Sequence, residues 1–174
     1  MKGLIIYKSR YGATGQYAGW LARACGYRAT QPESVRPGEL EQAELVIVGS
    51  SIYLGKLLLS RWIRQHVRLL SRKKVLLFIV CGTTPDESEA TEEMLLNNVP
   101  REILPSCRVF FLPGRIRHGS LSLKHRWLLK IAAWFETDRV KKGALTQDWD
   151  LVDRHRLEPL LGVIGELEPG LMAL

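Results

Sequence analysis

An apolar run that leads into a small, hydroxylated loop opens the chain: Leu4-Ile5-Ile6-Tyr7-Lys8-Ser9-Arg10-Tyr11-Gly12-Ala13-Thr14. The apolar run predicts a buried strand, and the helical pattern over residues 13–25 places the loop at a helix N-terminus. Hydroxyls at Ser9 and Thr14, a glycine at Gly12 and backbone N–H groups together suit a terminal phosphate. A plain strand–helix turn with a threonine N-cap is the alternative. The loop has neither the Gly-Lys-Ser/Thr ending of a Walker A loop nor the GxGxxG pattern of a dinucleotide site.

The rest of the chain alternates apolar runs with helical patterns. Continuous runs at residues 45–48, 75–80 and 109–112, with a weaker strand near residues 27–30, predict strands that are covered on both faces. Helices are predicted over residues 58–70, 87–98 and 148–158, with Pro159 either kinking the last one or beginning a second short helix. This alternation predicts a doubly wound α/β fold with right-handed crossovers, formed by a single domain over residues 1–174.

Two further loops follow predicted strands and are rich in small residues. The second loop comprises Ser50, Ser51, Ile52, Tyr53, Leu54 and Gly55, and the third loop comprises Gly82, Thr83 and Thr84. In an open parallel sheet, both meet the first loop, residues 9–14, at the carboxyl edge, where ligands bind. Tyr53 suits the face of a planar ring, but it equally suits packing over the sheet edge. Taken alone, residues 82–84 favour a plain turn before a helix.

The composition is that of an ordinary globular protein. Of 174 residues, 46% are hydrophobic and 25% are charged, which excludes wholesale disorder. Three cysteines without CxxC spacing argue against a zinc site or a disulfide framework and predict a reducing compartment, so no metal is expected. No apolar run approaches the roughly 18–20 residues of a spanning helix, and no signal-peptide pattern follows Met1, so we expect a cytoplasmic protein.

The net charge of +7 is concentrated in one part of the chain, which we call the basic segment (residues 114–143). It carries eight basic and two acidic residues, whereas the remaining chain has 17 basic and 16 acidic ones. Residues 121–135 combine Trp, Leu and Ile with Lys and Arg at helical spacing, which is typical of an interfacial helix on an anionic membrane. The alternatives are a core-covering helix with a solvated basic face, and a homodimer packed through Trp127 and Trp134. This Trp-rich pattern fits a membrane better than nucleic acid, so no nucleic-acid partner is expected.

The first loop resembles the FMN phosphate loop of flavodoxins, whose pattern is Ser/Thr-x-Thr-Gly-x-Thr. Tyr11 stands where that pattern has its middle Thr, and its backbone N–H still suits a phosphate. The resemblance implies a flavodoxin-like fold, with a five-stranded parallel sheet in the order 2-1-3-4-5, and FMN as the cofactor. It also implies that the second and third loops flank the isoalloxazine, and that the phosphate is bound by Ser9, Arg10, Tyr11, Gly12, Ala13 and Thr14.

The basic segment and its surroundings resemble one branch of this family, the bacterial menaquinone-dependent protoporphyrinogen oxidases, which carry an insertion after the fifth strand. The matching residues are Gly114-Arg115-Ile116-Arg117, Thr137-Asp138-Arg139 and Asp148-Trp149. The resemblance implies an FMN-dependent enzyme of heme biosynthesis that oxidises a porphyrinogen and passes the electrons to a membrane quinone. Contacts with the substrate or the membrane are then expected from Arg115, Arg117, Lys124, Arg126, Trp127, Lys130 and Trp134.

Two other functions stay open on the same scaffold. A flavodoxin-type electron carrier has no substrate of its own, but such carriers are typically acidic, opposite in sign to the basic segment. An NAD(P)H:quinone reductase needs a nicotinamide site, and no residue pattern marks one. A receiver domain is excluded, because Lys8-Ser9-Arg10 stands where it needs a carboxylate cluster. No acid–base pair is identified, so the flavin is expected to carry the chemistry.

Overall fold

The computed structural model describes residues 1–53, 55–82, 89–116 and 148–168. Its strands are β1 (Gly3–Lys8), β2 (Arg28–Thr30), β3 (Leu45–Tyr53), β4 (Lys56–Leu57), β5 (Lys74–Cys81), β6 (Cys107–Pro113), β7 (Arg115–Ile116) and β8 (Trp149–Asp150). Its α-helices are α1 (Ala13–Cys25), α2 (Glu39–Gln42), α3 (Ser60–Gln65), α4 (Val67–Leu70), α5 (Glu89–Asn98) and α6 (Glu158–Leu167). Short 3₁₀ turns occupy Pro32–Ser34, Leu104–Ser106 and Arg154–Leu157.

The sheet has the predicted topology. Parallel strands follow one another in the order β2-β1-β3-β5-β6, and the two-residue β4 pairs antiparallel with the end of β3. Without β4, this is the predicted order 2-1-3-4-5, so the flavodoxin-like α/β fold is confirmed. Strands β7 and β8 form a separate antiparallel pair, which we call the β7–β8 ribbon. Most of the basic segment lies outside the described residues, and the single-domain organisation stays a prediction.

Both faces of the sheet are buried, which explains why the strands show continuous apolar runs rather than alternation. In β1, Ile5 belongs to the core on one face, whereas Leu4 and Ile6 belong to the core on the other. A Cβ added to Gly49 of β3 would lie 2.1 Å from Phe78 Cζ of β5, so only glycine at this position leaves room for the Phe78 ring. The helices add buried side chains to the two cores: Tyr17 and Leu21 from α1 and Ile164 from α6 on the Ile5 side, and Ile63 from α3 and Leu70 from α4 on the opposite side.

The third strand is longer than the sequence predicts. Residues 50–53 are predicted in a loop, but β3 continues to Tyr53, so that prediction is wrong. The strand extends because its backbone pairs with β1 as far as Ser50 and with β5 as far as Ser51, and then turns into the hairpin with β4. The helix predicted over residues 58–70 is divided at His66 into α3 and α4. The second loop is therefore a strand end and a hairpin at the carboxyl edge of the sheet.

The prediction of a helix over residues 148–158 is also wrong. Trp149 and Asp150 pair with β7 instead, and Asp153 caps the following 3₁₀ turn by accepting a hydrogen bond from His155 N at 3.0 Å. Of the two alternatives for Pro159, the second is confirmed, because this proline lies in the first turn of α6. Helix α6 then packs against the core on the α1 side of the sheet.

Candidate functional site

The first loop joins the carboxyl end of β1 to the N-terminus of α1. Gly12 is the N-cap of α1 with φ +85°, a left-handed conformation that glycine adopts without side-chain strain. Within the described part of the chain, no side chain caps this helix end, and its first turn has no acidic residue. The structure therefore contradicts the alternative of a threonine N-cap. It also leaves the first backbone N–H groups of α1 without a partner in the helix, an arrangement that suits an anion.

Unpartnered buried polar atoms gather at this edge of the sheet. Among the described residues, the buried side-chain N and O atoms without a hydrogen-bond partner are Ser9 Oγ, Thr14 Oγ1, Ser51 Oγ and Arg115 Nε. Ser9 and Ser51 come next along neighbouring strands, because Lys8 of β1 pairs with Ser50 of β3. Thr14, in the first turn of α1, is 1% exposed. Since buried polar groups in native proteins have partners, these hydroxyls point to a polar ligand.

Arg10 joins the first loop to the end of β3. Its guanidinium lies over the ring of Tyr53, with 4.3 Å between Cζ and the ring centroid, in a cation–π contact. Arg10 also forms a hydrogen bond with Tyr11, whose pKa is raised, mainly by burial of the phenol. The structure thus brings the first and second loops together and places a cation beside an aromatic ring.

A buried asparagine holds the hairpin that follows Tyr53. Asn98, the last residue of α5, accepts a hydrogen bond from Leu57 N and donates to Gly55 O and Met94 O, each at 2.8 Å. Gly55 has φ +72°, within the turn between β3 and β4. Asn98 is missing from the predicted site residues, because its role depends on contacts between elements that are distant in sequence.

The two serines at the end of β3 differ in their surroundings. Ser50 is fully buried, and its Oγ donates to Ser51 O at 3.1 Å and accepts from Leu59 N at 3.3 Å. Ser51 Oγ has no such partner among the described residues. Ile52, the next residue, is paired with Leu57 in the hairpin. Of the two hydroxyls, that of Ser51 is therefore the one that a ligand would satisfy.

The third loop begins at Gly82, directly after β5. The ring of Trp149 lies beside this exposed glycine, since a Cβ at position 82 would lie 3.4 Å from Trp149 Cζ2. Cys81, the last residue of β5, is neutral at physiological pH, because burial raises the pKa of its thiol to about 11. Trp149 is not among the predicted site residues, because only the pairing of β8 with β7 brings it here.

Arg115 links the β7–β8 ribbon to α1. Its Nη2 donates a hydrogen bond to Gln16 Oε1, and its Nε lies 3.5 Å from Asp150 Oδ2. These contacts leave 14% of the side chain exposed. The structure thus assigns Arg115 a structural contact, and its contact with substrate or membrane stays a prediction.

The hydroxyl of Tyr17 provides a second link between α1 and this region. Tyr17 is fully buried, and its OH donates to Pro113 O at 2.9 Å and accepts from Asp153 N at 3.2 Å. It therefore joins the end of β6 to the chain that leaves β8. Together with Arg115, this contact holds the β7–β8 ribbon and the chain that follows it against the N-terminal half of α1.

The other predicted site residues lie outside the described ranges: Leu54, Thr83, Thr84, Arg117, Lys124, Arg126, Trp127, Lys130 and Trp134. Within the described ranges, no group of three or more His, Cys, Asp or Glu side chains is arranged to hold a metal ion. No helix in those same ranges is long and apolar enough to cross a membrane.

Comparisons with known proteins give one family and several similar structures. The family model described as a flavodoxin domain matches residues 4–142. A flavodoxin from the domain Archaea is 19% identical with a TM-score of 0.47, and the alignment covers 69% of this chain and 88% of that one. The Trp repressor binding protein from Bacillus subtilis is 15% identical (TM-score 0.44; coverage 79% and 99%). The two-electron reduced Megasphaera elsdenii flavodoxin is 17% identical (TM-score 0.42; coverage 63% and 82%). No curated protein sequence matches this chain.

Proposed function

Because the chain belongs to the flavodoxin domain family, we propose that it is an FMN-dependent oxidoreductase that oxidises a porphyrinogen-like substrate and passes the electrons to a membrane quinone. Family membership itself points to FMN as the cofactor and to a redox function. The porphyrinogen and the quinone are the finer part of the proposal, and they rest on the residues of the basic segment.

The observation that carries FMN binding is the set of unpartnered buried hydroxyls at the first loop. Ser9 Oγ and Thr14 Oγ1 lack partners among the described residues and belong to the loop and first turn at the N-terminus of α1. A phosphate monoester offers acceptors for both hydroxyls and for the first backbone N–H groups, and its negative charge suits the positive end of the helix dipole. These residues therefore fit the FMN phosphate, with Ser51 Oγ as a further donor at the same edge.

Aromatic and small residues beside the first loop fit a flavin ring. Tyr53 ends β3, and Trp149 lies beside Gly82, which follows the neighbouring β5. Aromatic side chains at neighbouring strand ends suit stacking on a planar ring and exclude water from it. The neutral thiol of Cys81 adds no charge there. Bound FMN supplies the hydride acceptor, which is N5 of its ring.

The charge of the basic segment supports the proposed substrate and acceptor. Its eight basic and two acidic residues favour anionic partners, such as the propionate groups of a porphyrinogen and an anionic membrane surface. Trp127 and Trp134, which alternate with Lys and Arg, suit a peripheral contact with the membrane in which a quinone dissolves. The same charge disfavours an electron carrier, whose anionic surface serves basic partners.

Flavin binding is tested by titrating the purified protein with FMN and recording its visible spectrum. Oxidation of protoporphyrinogen is then measured anaerobically with a menaquinone analogue as acceptor. We expect saturable FMN binding and oxidation that depends on both FMN and the quinone. A protein that binds FMN but leaves protoporphyrinogen unchanged would contradict the proposed enzyme and favour the carrier. A protein that binds no FMN would contradict the proposal as a whole.

Membrane contact is tested by flotation with anionic liposomes. The double variant Trp127→Glu, Trp134→Glu should lose liposome binding and keep its FMN affinity. The matched control is Arg61→Gln, Arg68→Gln, which lowers the net charge by the same two units at exposed positions of α3 and α4. This control should bind liposomes as the wild type does. Equal loss in both variants would show that net charge alone drives binding, and no loss in either would contradict the membrane contact.

A further inference from the structure

Arg10 is the one charged residue of the first loop. It is exposed, yet its guanidinium does not point freely into solvent, since it lies 4.3 Å from the centroid of the Tyr53 ring and hydrogen-bonds Tyr11. The nearest basic residue in sequence, Lys8, is engaged by Glu33 in an ion pair. Arg10 is therefore a cation without a carboxylate partner among the described residues, and two aromatic side chains hold it at the edge of the site.

The position of the Arg10 side chain distinguishes two roles for its charge, one at the phosphate and one at the flavin ring. A cation that serves the phosphate would lie with the hydroxyls of Ser9 and Thr14, at the N-terminus of α1. The guanidinium lies instead over Tyr53, at the carboxyl end of β3, which is the part of the edge that fits the flavin ring. The guanidinium is thus placed beside the aromatic side chain that fits the flavin ring.

We propose that Arg10 sets the reduction potential of the bound flavin by stabilising the negative charge that a hydride adds to the ring. This inference rests on the proposed binding of FMN. Each hydride carries two electrons and one proton from the substrate, so the reduced ring holds one more negative charge than the oxidised ring. A fixed cation near the ring binds the reduced form more tightly than the oxidised form and raises the midpoint potential. Such a rise favours electron transfer from the substrate to the flavin.

The experiment measures dissociation constants of oxidised and reduced FMN and the midpoint potential of the bound flavin, in the wild type, Arg10→Gln, Arg10→Lys and Arg61→Gln. In Arg10→Gln, we expect the affinity for reduced FMN to fall about tenfold more than that for oxidised FMN, equivalent to a potential about 30 mV lower for a two-electron couple. Arg10→Lys keeps the charge and should retain most of the wild-type potential. Arg61→Gln, the matched loss of one exposed cation on α3, should leave the potential unchanged.

Riboflavin, which lacks the phosphate, distinguishes an effect of Arg10 on the flavin ring from an effect on the phosphate. A ring-directed cation predicts that Arg10→Gln lowers the potential of bound riboflavin and of bound FMN to the same extent. A loss of FMN affinity that is equal in both redox states and absent with riboflavin would assign Arg10 to the phosphate and overturn the inference. FMN binding with an unchanged potential in Arg10→Gln would overturn this inference alone, whereas absence of FMN binding by the wild type would overturn the proposed function as well.

Discussion

Replacing Thr14 by Val removes one hydroxyl from a side chain that is 1% exposed and keeps its branched shape. The hydroxyl has no partner among the described residues, so in the apoprotein it carries the cost of a buried, unsatisfied polar group. Its removal should therefore stabilise the apoprotein. The same hydroxyl is expected to donate to the FMN phosphate, so the same substitution should weaken FMN binding. The two effects have opposite signs, which makes the prediction specific.

Each effect has an expected size. An unsatisfied buried polar group costs roughly 1–3 kcal/mol, so the free energy of unfolding of the Thr14→Val apoprotein should rise by an amount in that range. A hydrogen bond to a charged group contributes about 1.5–3 kcal/mol, which corresponds to a loss of FMN affinity of roughly 10- to 150-fold. Urea unfolding of the apoprotein measures the first quantity. Quenching of flavin fluorescence on titration measures the second.

Thr30→Val is the matched control. Thr30 is also buried, but its hydroxyl has a partner, Gln31 O at 3.4 Å, and it lies at the end of β2. Its substitution should lower the free energy of unfolding slightly, by about 0.5–1.5 kcal/mol, and leave FMN affinity unchanged. If Thr14→Val instead destabilises the apoprotein and binds FMN as tightly as the wild type, the hydroxyl is not reserved for a ligand and the reasoning is refuted.

Three further predictions concern the fold that positions the site. Gly49→Ala should lower the free energy of unfolding by about 1–3 kcal/mol, because the added methyl would lie 2.1 Å from Phe78 Cζ. Gly162→Ala in α6 is the control, because that position has open space and the substitution should not destabilise the protein. Urea unfolding compares the two variants. Tyr17→Phe should lose about 1–3 kcal/mol, because two backbone groups lose a buried partner, and should speed amide exchange in residues 149–153. The Arg28 guanidinium holds the pKa of Glu39 below its usual 4.5, so their contact stabilises the fold above pH 4.5 and is lost as the pH falls through the lowered pKa. The difference in urea midpoint between the wild type and Glu39→Gln should vanish over the same interval, and a difference that persists in acid would contradict this assignment.

The parallel sheet could be predicted from sequence because its signal is local. Residues 4–7, 45–48, 75–80 and 109–112 are continuous apolar runs, and each is a strand of the parallel sheet, fully buried at its centre and half-buried in the edge strand β6. The extension of β3 through two serines could not be predicted in this way. Backbone pairing with β1 and β5 stabilises the strand there, and a serine by itself gives no indication of that pairing.

In the candidate site too, local features could be predicted from the sequence, whereas long-range contacts could not. The first loop is local, so its hydroxyls, its glycine and its position before α1 follow from a short stretch of sequence. Asn98 and Trp149 depend on contacts between elements far apart in the chain, namely α5 with the β3–β4 hairpin and β8 with β7. Local patterns over residues 148–158 favour a helix, and long-range pairing overrides that preference.

The β7–β8 ribbon has a consequence for how this chain can diversify. Ile116 pairs directly with Trp149, so the described residues on either side of positions 117–147 are paired with each other. Paired strands lie about 5 Å apart, a gap that a two-residue turn can close. A cassette of any length can therefore occupy this position without changing the register of the parallel sheet. A chimaera with a short turn in place of that cassette should therefore keep the parallel sheet and the first loop.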